Sequence, residues 1–267
     1  MALIIGLFLF LFGTIIGSFL NVVIYRTTHG DSPANGRSRC TKCKKVIAWY
    51  DNIPLLSFLM LKGKCRKCKK PISWQYPIVE FTTGLLFVWW YLVGFAFFQL
   101  TQQPHIYIQP LYWLFIGVML LIIFVVDMRY FIIPDFATLM VGAGALIYRL
   151  YLVATGVMRW QDGLTSVLMG LGLFLFLGAL WYFTKGRGMG FGDVKYALSM
   201  GILLGWPRGL VGMFVAFAIG AFVGVALLML KRKKLKQAIP FGPFLVIGTL
   251  VALMWGMPLW NWYWGML

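Results

Sequence analysis

Seven carboxylates serve a chain of 267 residues that is 61% apolar. Four of them stand where apolar runs begin or end. Asp127 closes the run LLIIFVVD, and Asp135 opens the next in IIPDFATLM. Glu80 opens another in YPIVEFTTG, and Asp193 follows four alternating glycines in GRGMGFGDVK. A carboxylate beside hydrocarbon is costly if charged and unpaired, so each is a candidate functional group. Two carboxylates held together in a partly dry site share one proton, leaving an acid beside a base. Such a pair activates water against a peptide carbonyl without a metal. Asp127 and Asp193 would have to lie within hydrogen-bond distance, and Gly190 and Gly192 offer the close helix approach this needs. The competing reading is a helix cap. Asp135, after Pro134, suits an N-cap or first-turn position, and Asp193 can cap its own helix. Asp127 ends its helix, where the macrodipole disfavours negative charge, and Arg129 two residues on is poorly placed to pair with it.

The second constellation is CTKC at 40–43 and CRKC at 65–68, with 21 residues between them. Cys40, Cys43, Cys65 and Cys68 have the spacing of a four-cysteine zinc site, in which each pair reaches one tetrahedral ion from a tight turn. A redox dithiol is the alternative. An insertion of this size builds little core, so a structural Zn2+ would supply the missing stability. The flanking lysines and arginines offset the thiolate charge. A basic zinc ribbon can bind nucleic acid, but one clamped between two membrane helices is badly presented for that, so no nucleic-acid partner is expected.

The elements that position these residues follow from composition. A mean hydropathy of +0.84 and long apolar runs define an all-α polytopic membrane protein with the lipid bilayer as its partner. No alternating strand pattern suggests a β-barrel. Eight spans are expected near 3–25, 77–100, 111–127, 135–155, 163–183, 193–206, 209–230 and 241–260. The net charge of +17 then reads as topology rather than nucleic-acid affinity. With 26–76 in the cytoplasm, the inside segments hold 21 of the 24 Lys/Arg, and only Arg149, Arg159 and Arg208 fall elsewhere. Both termini are expected outside, with the zinc insertion and the four carboxylates at the cytoplasmic side. The first span lacks a basic n-region and a cleavage site, so it is expected to be retained. Three parts are expected: a first helix 1–25, the insertion 26–76, and a helical bundle 77–267. Asp31 and Asp162 are expected in solvated loops, 101–110 as an uncharged outside loop, and KRKKLK at 231–236 as an anchor at a helix end.

Taken together, these residues resemble the type IV prepilin peptidase family of bacterial inner membranes. The resemblance runs through GSFLNVVIYR (17–26), the paired CxxC motifs, WYDNIPLLSFLMLKGKCRKC (49–68) and ISWQYPIVEF (72–81). It continues through DMRYFIIPD (127–135), GMGFGDVK (188–195) and IPFGPFLVIG (239–248). The resemblance implies a bifunctional enzyme acting on prepilins or pseudopilins. It would cleave a short basic leader after a glycine, then N-methylate the new amino terminus with S-adenosylmethionine. It implies Asp127 and Asp193 as the catalytic aspartates, with no metal in the peptidase site. Asp135, Gly190 and Gly192 are expected to support that site.

The methyl-transfer residues are less defined by type. No G-x-G-x-x-G follows a strand, so a Rossmann cofactor site is not indicated. Asn21, Arg26, Asp51, Asn52 and Glu80 are the polar groups in matching motifs, and an acid there could receive an amine, the sulfonium cofactor or a basic leader. Their plain readings are a turn for Asp51 and Asn52 before Pro54, and a lysine partner for Glu80. Rival functions are an ion-coupled transporter, an assembly scaffold without catalysis, and a peptidase that has lost methylation. The acids gather near one membrane face and none lies mid-span, which disfavours a transporter.

Overall fold

A computed structural model of the chain describes residues 2–30, 32, 36–95, 108–230 and 239–266. Asp31, most of the 101–110 loop, the end of the second expected span and the 231–236 run lie outside the described residues. The described residues form helices and turns, with two isolated bridges, Arg39 with Val46 and Lys64 with Pro71. In order, the helices are α1 (Ala2–His29), α2 (Leu56–Met60), α3 (Gln75–Trp89, continued by a π-helical segment Trp90–Phe95), α4 (Ile108–Tyr130) and α5 (Asp135–Ala154). They continue with α6 (Trp160–Phe183), α7 (Phe191–Leu204), α8 (Arg208–Met229) and α9 (Gly242–Gly265). Lipid leaves the backbone no external partner, so apolar runs of this length close their hydrogen bonds internally.

Six of these helices, α1, α4, α5, α6, α8 and α9, are long and apolar enough to cross a membrane. Six of the eight expected spans correspond to these helices; the expected spans 77–100 and 193–206 fall on α3 and α7, which are not among the candidates of that length in the described residues. α3 changes to π-helical geometry after Trp89. α7 has 14 residues, about 21 Å of rise against a hydrocarbon core of about 30 Å. Boundaries also move: α1 runs on to His29, which puts Arg26 in the helix, and α4 continues three residues past Asp127.

The chain divides into two units, residues 1–118 and 119–267. In the first, α1 and α3 pack antiparallel through glycines. A Cβ on Gly13 would stand 2.9 Å from the Gly84 Cα, and one on Gly17 would stand 2.7 Å from the Glu80 Cα. Asn21 continues the same register, its Nδ2 donating to the Tyr76 carbonyl at 3.1 Å.

In the second unit, α7 is the buried element, packed against α5, α6, α8 and α9. It is fixed by a polar contact at almost every turn. Tyr196 Oη pairs with Thr249 Oγ1 of α9 at 2.9 Å, and Ser199 Oγ donates to the Thr138 carbonyl of α5 at 2.8 Å. Arg149 of α5 donates to the Ile202 and Leu203 carbonyls at 2.7 and 2.9 Å. Those carbonyls belong to the last turn of α7, where intrahelical partners run out and a cation is favoured. Arg149, one of three basic residues that the inside loops do not explain, is therefore a helix-end clamp. A second, Arg159, pairs with Asp162 in the exposed first turn of α6, so Asp162 is solvated as expected but stands on a helix rather than in a loop.

A candidate aspartyl pair and a cysteine cluster with an adjoining cavity

Asp127 and Asp193 both lie in the second unit, near where the start of α7 meets the α4–α5 link, and both are buried, 5% and 6% exposed. Each carboxylate is held by one backbone donor at a helix start. The Gly190 N–H donates to Asp193 Oδ2 at 3.0 Å, so Asp193 returns to cap the helix it sits on, in the first turn of α7. The Gly242 N–H, at the first position of α9, donates to Asp127 Oδ2 at 2.8 Å. The misfit of Asp127 with its own helix end is thereby resolved, because its charge faces the N-terminus of another helix. Arg129 does not serve it; that guanidinium stands over the Tyr130 ring at 5.8 Å. Neither Oδ1 has a partner among the described residues.

The glycines differ in what they do. A Cβ on Gly192 would meet the Ile133 Cβ at 3.0 Å, so Gly192 lets the start of α7 press against the α4–α5 link. Gly190 is exposed, and a Cβ there would make only ordinary contact, 3.6 Å from Asp193 Oδ2. Close approach is thus found at Gly192, against the link rather than a helix, and not at Gly190. Of the glycines beside the two aspartates, Gly242 has the tightest requirement: a Cβ there would stand 2.7 Å from Asp127 Oδ2. Gly242 was not singled out from the sequence, although FGPF before an apolar run carries the Pro signal of a helix start. Asp135 is the first residue of α5 but makes no cap; the N-cap position is Pro134. Instead it is exposed and pairs with Lys195 Nζ at 2.6 Å, two residues beyond Asp193.

In the first unit, the four cysteine sulfurs lie within 4.8 Å of one another. None forms a disulfide, and Cys40 and Cys68 Sγ are 3.9 Å apart. Tetrahedral Zn–S bonds of about 2.3 Å place sulfurs about 3.8 Å apart, so the donor set fits zinc, and it gathers as one cluster rather than as two dithiols. The two halves share one backbone design. The Cys40 N–H donates to the Lys45 carbonyl and Lys44 N–H to Cys40; the Cys65 N–H donates to Lys70 and Lys69 N–H to Cys65. The residue after each second cysteine takes a left-handed φ, 58° at Lys44 and 57° at Lys69. Backbone N–H groups face the sulfurs. That of Lys45 holds the Cys43 thiol below its ordinary value. Cys68, although Lys70 N–H favours its thiolate, is pushed up to about 11 by desolvation and the neighbouring sulfurs. Metal binding requires all four as thiolates and so releases protons.

Beside the cluster is a cavity of about 900 Å³, whose walls include Asn21, Arg26, Asp51, Asn52, Tyr76 and Glu80. All five residues expected for methyl transfer therefore border one space, with separate local roles. Asp51 does not merely form a turn; it binds Arg66 in a forked pair, with contacts of 2.7 to 3.0 Å, and so ties Trp49–Asn52 to the second CxxC. The Asp51 carboxylate holds the Arg66 guanidinium above its ordinary value. Among the described residues no lysine pairs with Glu80; its Oε2 accepts the Leu55 N–H at 2.8 Å. Arg26 donates to the Ser32 and Gly36 carbonyls, pinning the chain where it leaves α1. Asn52 is exposed on the wall. Asn21 is 1% exposed, and its Oδ1 is a buried acceptor without a hydrogen-bond partner.

Comparison with known proteins agrees with this division. The family description "Bacterial Peptidase A24 N-terminal domain" matches residues 11–93, and "Type IV leader peptidase family" matches residues 114–225. The chain is 33% identical to the prepilin leader peptidase/N-methyltransferase of Aeromonas hydrophila, covering 95% of this chain and 92% of that protein. It is 32% identical to the proteins of that name from Legionella pneumophila, over 96% and 93% of the two chains, and from Bacillus subtilis, over 93% of each. No solved structure matches. With similarity over nearly its whole length and in both units, the chain belongs to the type IV prepilin leader peptidase/N-methyltransferase family.

Proposed function

We propose that this protein removes the leader of type IV prepilins or pseudopilins with Asp127 and Asp193, and methylates the new amino terminus in the cavity beside the cysteine cluster. The observation that carries the reading is the pair itself: two buried carboxylates in one helical unit, each with one oxygen fixed by a helix-start N–H and one with no partner among the described residues. Two such acids share a proton. The ionised member takes a proton from water, and that water attacks the peptide carbonyl after the leader's glycine. The protonated member donates to the carbonyl oxygen; the proton taken from water then passes to the peptide nitrogen, the other member recovers its own proton, and the tetrahedral intermediate collapses to expel the amine of the following residue. The helix-start donors hold both carboxylates still. Lys195, paired with Asp135, holds the approach to Asp193 without touching the reacting atoms.

The methyl-transfer half has a site that fits S-adenosylmethionine: a cavity of ligand size, acidic and amide groups on its wall, and the orphaned Asn21 Oδ1. Bound there, the cofactor would supply an electrophilic methyl group to the amine. Asn21, Glu80 and Asn52 would orient the amine and the cofactor's polar groups. Cys40, Cys43, Cys65 and Cys68 would hold structural zinc, and with Asp51–Arg66 would keep the cavity wall in place. The bacterial inner membrane, with the cluster and the aspartates on the cytoplasmic side, accords with the distribution of basic residues.

The test is mass spectrometry of a prepilin incubated with the purified protein and S-adenosylmethionine. The expected product lacks the leader and carries one added methyl, and Asp127→Asn or Asp193→Asn abolishes it in a protein that remains folded. An untouched prepilin with the wild-type protein, or full processing by both variants, overturns the reading.

A further inference from the structure

The insertion of the first unit carries an exposed apolar surface that neither proposed activity uses. In α2, Leu56, Leu59 and Met60 share one helical face and are 50%, 71% and 69% exposed. Soluble surfaces seldom present three large apolar side chains on a single turn. The depth of this turn is set by one hydrogen bond. Leu55, which precedes α2, gives its N–H to Glu80, and Glu80 lies five residues inside α3, about 7 Å below its start by helical rise. In that layer Glu80 faces Gly17 of α1. The outward residues of both helices there, Phe19, Ile78 and Phe81, are apolar and exposed, as a lipid-facing surface requires. α2 therefore starts beside a lipid-facing layer, although it belongs to the polar insertion.

Its other surroundings match a bilayer interface. Trp74, 70% exposed, immediately precedes α3 and packs on Phe58 with ring centroids 5.0 Å apart, the position favoured by interfacial tryptophan. After Met60 the chain turns through Lys62 and Gly63, both at left-handed φ, and enters a segment with Lys62, Lys64, Arg66, Lys67, Lys69 and Lys70. Leu55 itself holds φ 60° and ψ −50°, a conformation uncommon for a bulky residue that persists only where the surroundings hold it. The Glu80 hydrogen bond is one such hold.

We infer that α2 is a wedge that inserts Leu56, Leu59 and Met60 into the adjacent bilayer leaflet, while Lys62, Lys64 and Lys69, the basic residues nearby that do not line the cavity, contact anionic lipid headgroups. Burial of apolar side chains and attraction of lysine to an anionic surface act together, as in interfacial helices. The membrane is already at hand, because α1 and α3 tether both ends of the insertion.

Photochemical labelling tests this without reference to catalysis. The full-length protein carries a diazirine amino acid at position 59 and is placed in nanodiscs containing phosphatidylglycerol; zinc content reports that the insertion is folded. On illumination the carbene inserts into the O–H or C–H bonds of whatever surrounds it. Mass spectrometry is expected to find phospholipid adducts in several-fold excess over water adducts. That yield should fall at least about threefold in phosphatidylcholine or after Lys62→Gln and Lys64→Gln together. Water adducts in excess, or adducts formed with an added prepilin rather than with lipid, overturn the wedge. Equal yields in the two lipids overturn the anionic-headgroup assignment.

Discussion

In residues 1–118 the polar groups are secured by turns and by one another: paired cysteine knuckles, the Asp51–Arg66 fork, the Arg26 bonds to loop carbonyls. In residues 119–267 the two buried aspartates take their hydrogen bonds from helix starts, in a unit whose other contacts lie between helices packed around the short α7. The contrast follows from the material available to each. A short polar insertion has little apolar area to bury, so cross-links and a metal must define it. A helical bundle in lipid already has its backbone satisfied, and its helix N-termini are the places where N–H groups remain to hold an anion. A change in one unit should therefore spare the activity of the other.

The largest effect is expected from Asp127→Asn or Asp193→Asn. Loss of general acid–base chemistry costs about 10²–10⁴-fold, so leader cleavage should fall by that much or more, with helicity unchanged by circular dichroism. Next is Gly242→Ala. A methyl group there must displace the Asp127 carboxylate, and misplacement of a reacting group by about 1 Å costs on the order of 100-fold. The kcat for cleavage should drop while methylation of a leaderless substrate persists. Cys40→Ser, or removal of zinc by a chelator, should abolish bound zinc by elemental analysis and methylation with it, and leave cleavage within about threefold. Asp51→Asn opens the fork to Arg66 and should lower methylation by less than about tenfold, since partly exposed ion pairs contribute modestly. The smallest effect is expected from Asp135→Asn. Its partner Lys195 and Asp135 itself are both solvent-exposed, and exposed pairs are worth about 0–1 kcal/mol, so cleavage should change by less than about fivefold.

Much of this was legible in the residues. Apolar runs locate the helices because lipid permits little else, and CxxC pairs locate a metal cluster because two residues between cysteines close a tight turn. Asp127 and Asp193 stood out with Asp135 and Glu80 by cost, as carboxylates at the edge of hydrocarbon, and the family resemblance selected the pair. What stayed hidden were partners that no local pattern announces. The donor to Asp127 is a backbone N–H at residue 242, and backbone groups have no sequence signature. Glu80 was matched to a lysine by charge, yet its partner is the Leu55 N–H, which depends on how the insertion folds back on α3. Gly190 and Gly192 look alike in a run of glycines, and only the position of Ile133 distinguishes them. Arg149 read as an exception to charge topology until the end of α7 supplied its acceptors. Span number was least legible at α3 and α7, whose regular α-helical lengths fall short of a bilayer.

The central claim, that the aspartate pair serves cleavage alone, is tested most directly with Asp193→Asn. The variant is given S-adenosylmethionine and, in parallel, a full prepilin and a synthetic pilin segment already lacking its leader. Mass spectrometry should find the prepilin untouched and the leaderless segment carrying one new methyl group at its amino terminus. A folded, zinc-loaded variant that cleaves the prepilin, or that fails to methylate the leaderless segment, would contradict the account.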